Sequence, residues 1–340
     1  MSFKSLVRKI CITITALIVL FFAIEILYRL NIGAFPFYPN YDNDFGFVYD
    51  SRLGYRIKGV KGYNSLGLKN PEISPKQGQF RVLLLGDSVI WGFNPDLLRQ
   101  ALEVNDPARN IEIINAGIPG YTTKQEFDFL KLYGLSAEPD LVIFNFLFND
   151  LLPYLHRPAP DGRSIEWYPS ARRNSFGKEN IIGRFFWRSY LAHFTVGSLS
   201  RIYKKYIIRQ SYEFEKMIDF NLAWKDFVWD DYKLLLEEIG GFLQSRKIPF
   251  VIVCFPLREQ LADYFTDEER YYALKPQRKL AGICRKLNIP FLNLWDLFYE
   301  NRDKTLFIDQ LHPGYQGNVL FALKLSDFLV EQDLIPLAAE

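Results

Sequence analysis

The chain has 340 residues, 49% of them hydrophobic and 16% aromatic, enough to bury a sizeable core in one large or two ordinary domains. Its 41 basic and 39 acidic residues leave a net charge of +2, which argues against a polyanionic partner. Three cysteines, Cys11, Cys254 and Cys284, are too few and too scattered for a disulfide framework or a zinc site. They read as small buried hydrophobes, with a Cys254–Cys284 disulfide left open for a chain outside the cytoplasm.

The first element is the apolar run Ile10 to Tyr28, broken only by Glu25 and preceded by Lys4, Arg8 and Lys9. A helix needs about 20 apolar residues to cross a bilayer, so this run just suffices. No small-x-small cleavage site follows it, which favours an uncleaved signal anchor over a removed signal peptide. The positive-inside rule then places the N-terminus in the cytoplasm and everything after Arg29 outside, periplasmic or at the cell surface. A short globular helix is the rival reading. Residues 31–80 are rich in Tyr, Phe, Gly, Asn and Asp and punctuated by Pro36, Pro39, Pro71 and Pro75. This predicts an irregular extension of turns and short strands, folded onto the main domain to bury its aromatics.

From Arg81 the pattern changes. Short apolar runs at Arg81–Leu85, Ile111–Asn115, Leu141–Phe146, Phe250–Phe255 and Phe291–Leu294 alternate with helix-like stretches. The helices are predicted at about 96–104, 124–135, 224–246, 267–287 and 315–331. Runs without polar alternation are strands buried on both faces. Alternating with helices, they predict an α/β fold, a three-layer α/β/α sandwich on a five-stranded parallel sheet, with residues 81–340 as its domain. The cycle stretches at about 151–223, where no strand is evident. Between Arg157 and Lys216 twelve Lys/Arg stand against five Asp/Glu, among many aromatics. This reads as an insertion over the sheet edge or against an anionic membrane, or as a helical excursion packed on the core. No reader motif accompanies the charge, so no nucleic-acid partner is expected.

In open α/β sheets, ligands bind beyond the carboxyl ends of the strands. Gly86-Asp87-Ser88 follows the first strand, putting a serine hydroxyl and its N–H on a tight turn. Asn115-Ala116-Gly117 closes the second, where the glycine permits close backbone approach. Asn149-Asp150 follows the third, offering an amide that can donate to developing negative charge. Asp309-Gln310-Leu311-His312 follows the last. A serine nucleophile needs a base, usually histidine, oriented by a carboxylate. Of the three histidines, His156 and His193 have no motif around them, whereas His312 lies three residues after Asp309. Each block has a bland reading as a turn or cap. Their joint occurrence, in this order at strand ends, does not. Asp87 is taken as structural, holding the turn.

These blocks resemble the SGNH/GDSL hydrolases, whose signature is a GDS block, a later glycine, a GxND block and a DxxH block. The resemblance runs from about Asn64 to the C-terminus and includes Asn115-Ala-Gly-Ile-Pro-Gly-Tyr121. It implies Ser88 as nucleophile, His312 as base and Asp309 as its orienting partner. The Ser88 N–H, the Gly117 N–H and the Asn149 side chain would form the oxyanion hole. No metal and no cofactor is implied. One position departs: the glycine expected two residues before the asparagine is Leu147, which bears on the acyl pocket and on Asn149. The G-x-S-x-G elbow of α/β-hydrolases is missing, since Ile90 stands at its second glycine. The expected activity is ester hydrolysis through an acyl-enzyme, on O-acetyl or other O-acyl groups of extracytoplasmic glycans or lipids. Two alternatives are an O-acyltransferase acting on a polysaccharide and a non-catalytic module on the same fold.

Overall fold

The computed structural model describes residues 46–50, 52–58, 61–105, 110–151, 156–158, 165–167 and 220–335, with scattered helical positions between Ser5 and Ala23. The chain divides into two compact units, one made of 1–41 and 171–212, the other of 42–170 and 213–340. Every described strand belongs to the second unit. The expected anchor at Ile10–Tyr28 falls largely outside the described residues. Among those described, no helix is long and apolar enough to cross a membrane. Most of the basic, aromatic stretch 151–223 lies outside them too.

The five predicted strands form one parallel sheet. They are β3 (Phe80–Gly86), β4 (Ile111–Gly117), β5 (Leu141–Phe146), β8 (Phe250–Cys254) and β9 (Phe291–Asn293), in the order β4-β3-β5-β8-β9. Val82 to Leu85 of β3 and all of β5 are buried, as a sheet covered on both faces requires. Two short antiparallel hairpins lie outside it: β1 (Phe47–Asp50) with β2 (Gly54–Ile57), and β6 (His156–Pro158) with β7 (Ile165–Trp167). The second corrects the expectation that no strand lies between Asp150 and Trp224. Its three-residue strands are too short to show a periodicity of 2 in sequence.

Among the described residues from 46 onward the helices are α1 (Ser88–Trp91), α2 (Pro95–Asn105), α3 (Thr123–Leu132), α4 (Val228–Gln244), α5 (Asp267–Ala273), α6 (Lys275–Lys286), α7 (Trp295–Glu300) and α8 (Tyr315–Glu331). Phe93, just before α2, meets Phe321 of α8 edge-on at 4.9 Å, and Phe127 of α3 meets Phe242 of α4 at 5.2 Å. The single helix expected over 267–287 is two. It breaks at Leu274, because Pro276 in the first turn of α6 has no N–H to give and its ring would crowd the carbonyl four residues back, at Tyr272. α5 starts on a reciprocal cap in which the Thr266 N–H donates to Glu269 Oε2 at 2.8 Å. The helix expected from Trp224 begins four residues later, since Lys225 is extended and Asn221–Trp224 forms a separate turn.

The described residues between 46 and 80 are fastened to the sheet's carboxyl end and edge. The Tyr55 hydroxyl donates to the Pro119 carbonyl at 2.6 Å, and the Tyr121 hydroxyl to the Tyr55 carbonyl at 2.6 Å. Asn70 exchanges two hydrogen bonds with the Asn115 backbone, at 3.1 and 2.5 Å, occupying the open edge of β4. At the other end Arg81 is buried. It pairs with Glu112 at 2.7 Å and donates to the Ala137 and Ser74 carbonyls, so its charge is matched where it is desolvated.

Candidate active site

The chain runs from β3 to β4 on one side and then to β5 on the other. The carboxyl ends of β3 and β5 therefore flank the point where strand order reverses, the usual place for a ligand crevice in such sheets. Ser88 sits there as the first residue of α1. Asp87 caps the turn, accepting the Val89 N–H at 2.9 Å, and Gly86 and Gly117 lie opposite each other in register. Both glycines are demanded by space. A Cβ on Gly86 would stand 2.4 Å from Ile90 Cγ1, and one on Gly117 would stand 2.2 Å from the Trp91 nitrogen. The first turn of α1 thus lies directly on the backbone of β4.

The loop before α8 supplies the rest. His312 Nε2 is 2.8 Å from Ser88 Oγ, 224 residues away, and His312 Nδ1 is 2.7 Å from Asp309 Oδ2. The other Asp309 oxygen accepts the Leu311 and His312 N–H groups at 2.9 and 2.8 Å, which fixes carboxylate and imidazole in one turn. The Ile308 N–H closes that turn on the His312 carbonyl at 2.8 Å. Gly317 lets α8 pass close beneath, since a Cβ there would lie 2.4 Å from the Leu306 carbonyl oxygen. Partial burial pulls the Asp309 pKa upward. The His312 and Leu311 amides and the imidazole outweigh it and hold the carboxyl below its ordinary value. The site is open on this side, with the Asp309 side chain 51% and the His312 side chain 35% exposed.

Asn149 lies in the turn Phe148–Leu151 after β5. It is buried, and its Nδ2 faces Asp87 Oδ2 at 3.5 Å. The Gly117 N–H donates to Asn115 Oδ1 at 2.9 Å, while Asn115 Nδ2 donates to the Ile90 and Phe93 carbonyls at 2.6 and 2.8 Å. Asn115 therefore ties α1 to β4 and already engages the amide expected in the oxyanion hole. His156 lies in β6 and His193 outside the described residues, so neither is brought to Ser88 by anything described. Cys254 and Cys284 are both free thiols and buried, which removes the disulfide left open by the sequence.

Residues 84–320 match the GDSL-like lipase/acylhydrolase family. The chain belongs to that family. It is a hydrolase. No curated protein matches the sequence. Among solved structures, a catalytic mutant of an acetylxylan esterase from Geobacillus stearothermophilus is similar, at 13% identity over 75% of this chain and 96% of that one, with a TM-score of 0.45. A lipase/acylhydrolase from Enterococcus faecalis is similar at 15% identity over 77% and 100%, with a TM-score of 0.41.

The one departure of this GDSL-family chain from the expected signature is accommodated simply. Leu147 is buried and is not among the residues with positive φ, so its position does not need glycine. Its N–H and carbonyl bind the side chain and N–H of Asp150, at 3.0 and 2.9 Å, which shapes the Asn149 turn. Behind the site lies a polar group that sequence reasoning missed. Glu126 is fully buried and neither carboxylate oxygen has a hydrogen-bond partner, and the same holds for both side-chain polar atoms of Asn145. Burial, then the charges of Asp150 and Asp87, push the Glu126 pKa well above its ordinary value. Burial and Asp87 do the same to Asp150, against the opposing pull of the Leu147 and Thr123 donors. A signal existed: Glu126 lies three residues from Thr123 and four from Leu130, on the face of α3 that turns inward. Among the described residues no group of His, Cys, Asp and Glu could hold a metal ion.

Proposed function

We propose that this hydrolase cleaves carboxylic esters through an acyl-enzyme on Ser88. The observation that carries the reading is the unbroken chain of short hydrogen bonds Ser88 Oγ–His312 Nε2 and His312 Nδ1–Asp309 Oδ2. Asp309 accepts a hydrogen bond from the Nδ1–H and so leaves Nε2 as the acceptor for the serine proton. Ser88 Oγ attacks the ester carbonyl as His312 takes its proton, and His312 returns that proton to the leaving alkoxide. Water repeats the cycle on the acyl-enzyme and releases the acid. The tetrahedral oxyanion is held by the Ser88 N–H and the Asn149 side chain. The Gly117 N–H joins them by sharing its proton with Asn115 Oδ1. Each such donor is worth about 3–4 kcal/mol of transition-state stabilisation.

The openness beside His312 suits an ester carried on a larger body, an O-acyl group on a glycan or lipid. The apolar run at 10–28 supports a location on the outer side of a membrane, which alkaline extraction of membranes would test. The catalytic reading is tested with a short p-nitrophenyl ester and a fluorophosphonate probe. Ser88→Ala and His312→Ala should each abolish turnover, and Ser88→Ala should also abolish labelling. Full activity in both variants would sink the assignment.

A further inference from the structure

Asp87 does two things with two oxygens. Oδ1 accepts the Val89 N–H at 2.9 Å and closes the turn, while Oδ2 faces Asn149 Nδ2 at 3.5 Å. The second contact is long and does little for the turn. Its consequence lies at Asn149, which is buried and whose Oδ1 has no hydrogen-bond partner. The two ends of a side-chain amide have nearly the same shape, so packing alone does not decide which one faces the crevice. A partner must decide it.

A carboxylate only accepts. Facing Asn149, it selects the Nδ2 end, and because that nitrogen carries two protons, the second remains for a substrate oxyanion. A protonated Asp87 could instead donate to Oδ1 and turn the amide over, placing an acceptor against the developing negative charge. We propose that Asp87 is a positioning residue for the oxyanion hole, its carboxylate fixing the Asn149 amide with an N–H toward the reacting oxygen. The proposal rests on the reading of Asn149 as an oxyanion donor.

The groups around Asp87 fit this role. His312 faces it and favours its charge, whereas Asp150, Glu126 and Tyr55 face it from the β5 turn, α3 and β2 and are coupled to it electrostatically. Burial, partly offset by the Val89 amide, His312 and Asn149, raises the Asp87 pKa to about 6. Asp150 and Glu126, both pushed well above the ordinary range, are the more readily neutral pair. Of the three, Asp87 is thus the most readily ionised.

A double-mutant cycle with pH profiles tests the proposal. At pH 8, Asn149→Ala should lower kcat about 10²–10³-fold with little change in KM. Asp87→Asn keeps a side chain able to cap the turn and should lower kcat by at least about tenfold, because its own amide no longer selects the Nδ2 end. In the Asn149→Ala background, Asp87→Asn should change kcat by no more than about twofold. The acid limb of wild-type log(kcat/KM) should be steeper than that of Asp87→Asn, because ionisation of Asp87 adds to it. If Asn149→Ala retains wild-type kcat, the oxyanion reading of Asn149 falls. If Asn149→Ala loses activity but Asp87→Asn costs the same factor in both backgrounds, Asp87 serves only the turn and the proposal is overturned. Where Asp87→Asn does not fold, Asp87→Ser carries the same cycle, since its hydroxyl can cap the turn but supplies no carboxylate.

Discussion

Replacing Gly117 with alanine puts a methyl group where the first turn of α1 already lies. The added carbon would stand 2.2 Å from the Trp91 nitrogen, 2.6 Å from the Ile90 carbonyl carbon and 2.8 Å from Trp91 Cα. All three are backbone atoms, so no side chain can swing aside. Carbon atoms settle at about 3.5–4 Å, which requires α1 to retreat by on the order of 1 Å. Overpacking of this kind costs about 1–3 kcal/mol. Ser88 is the first residue of the displaced helix, and a misplacement of that size costs about 10²-fold in rate. Urea unfolding and p-nitrophenyl ester turnover should therefore fall together. Gly241→Ala in α4 is the control, because nothing lies within 4 Å of its Cβ. There the same change should stabilise by about 0.5–1 kcal/mol and leave kcat alone. Wild-type stability and turnover in Gly117→Ala would refute the packing argument.

Two further outcomes depend on the charges. Asp309→Asn keeps the size of the side chain but offers His312 Nδ1 a donor in place of an acceptor, so the wrong tautomer faces Ser88. Turnover should fall by about 10⁴-fold at pH 7. The Asp309 carboxyl is held below its ordinary value, so its contribution to stability is present above that value and lost as pH falls through the folded pKa. The variant should lack this acid-side loss, and an unchanged acid unfolding profile would count against the interaction. Asp87 has the opposite sign. Its pKa rises from 3.8 to about 6, so its stabilising share is full below 3.8 and lost as pH rises through about 6. Asp87→Asn should therefore gain on the wild type between pH 4 and pH 7 by up to about 3 kcal/mol, read by urea unfolding at both ends. A stability difference independent of pH would contradict the burial of that charge.

Much of this hydrolase is legible along the chain because its signals are local. β3, β4, β5, β8 and β9 are apolar runs, since a strand covered on both faces has no polar side to show. α8, from Tyr315 to Glu331, coincides with its predicted span. The chemistry-bearing residues stand directly after strands, where sheet geometry exposes them, and the scarcity of histidine left one motif-bound base. Less local features were misread. Residues 267–287 keep an apolar stripe through Leu274 although Pro276 divides them, and the β6–β7 hairpin is too short to leave a period.

Only the tertiary structure brought Ser88 within 2.8 Å of His312 across 224 residues. It also decided how the polar side chains behind Ser88 divide their work. Asn115 engages the Gly117 amide, Leu147 shapes the Asn149 turn without needing to be glycine, and Asp87, Glu126 and Asp150 crowd into one buried region. A carboxyl's charge depends on how much water and which other charges surround it. Those are properties of packing between strand ends and α3 that no stretch of sequence contains.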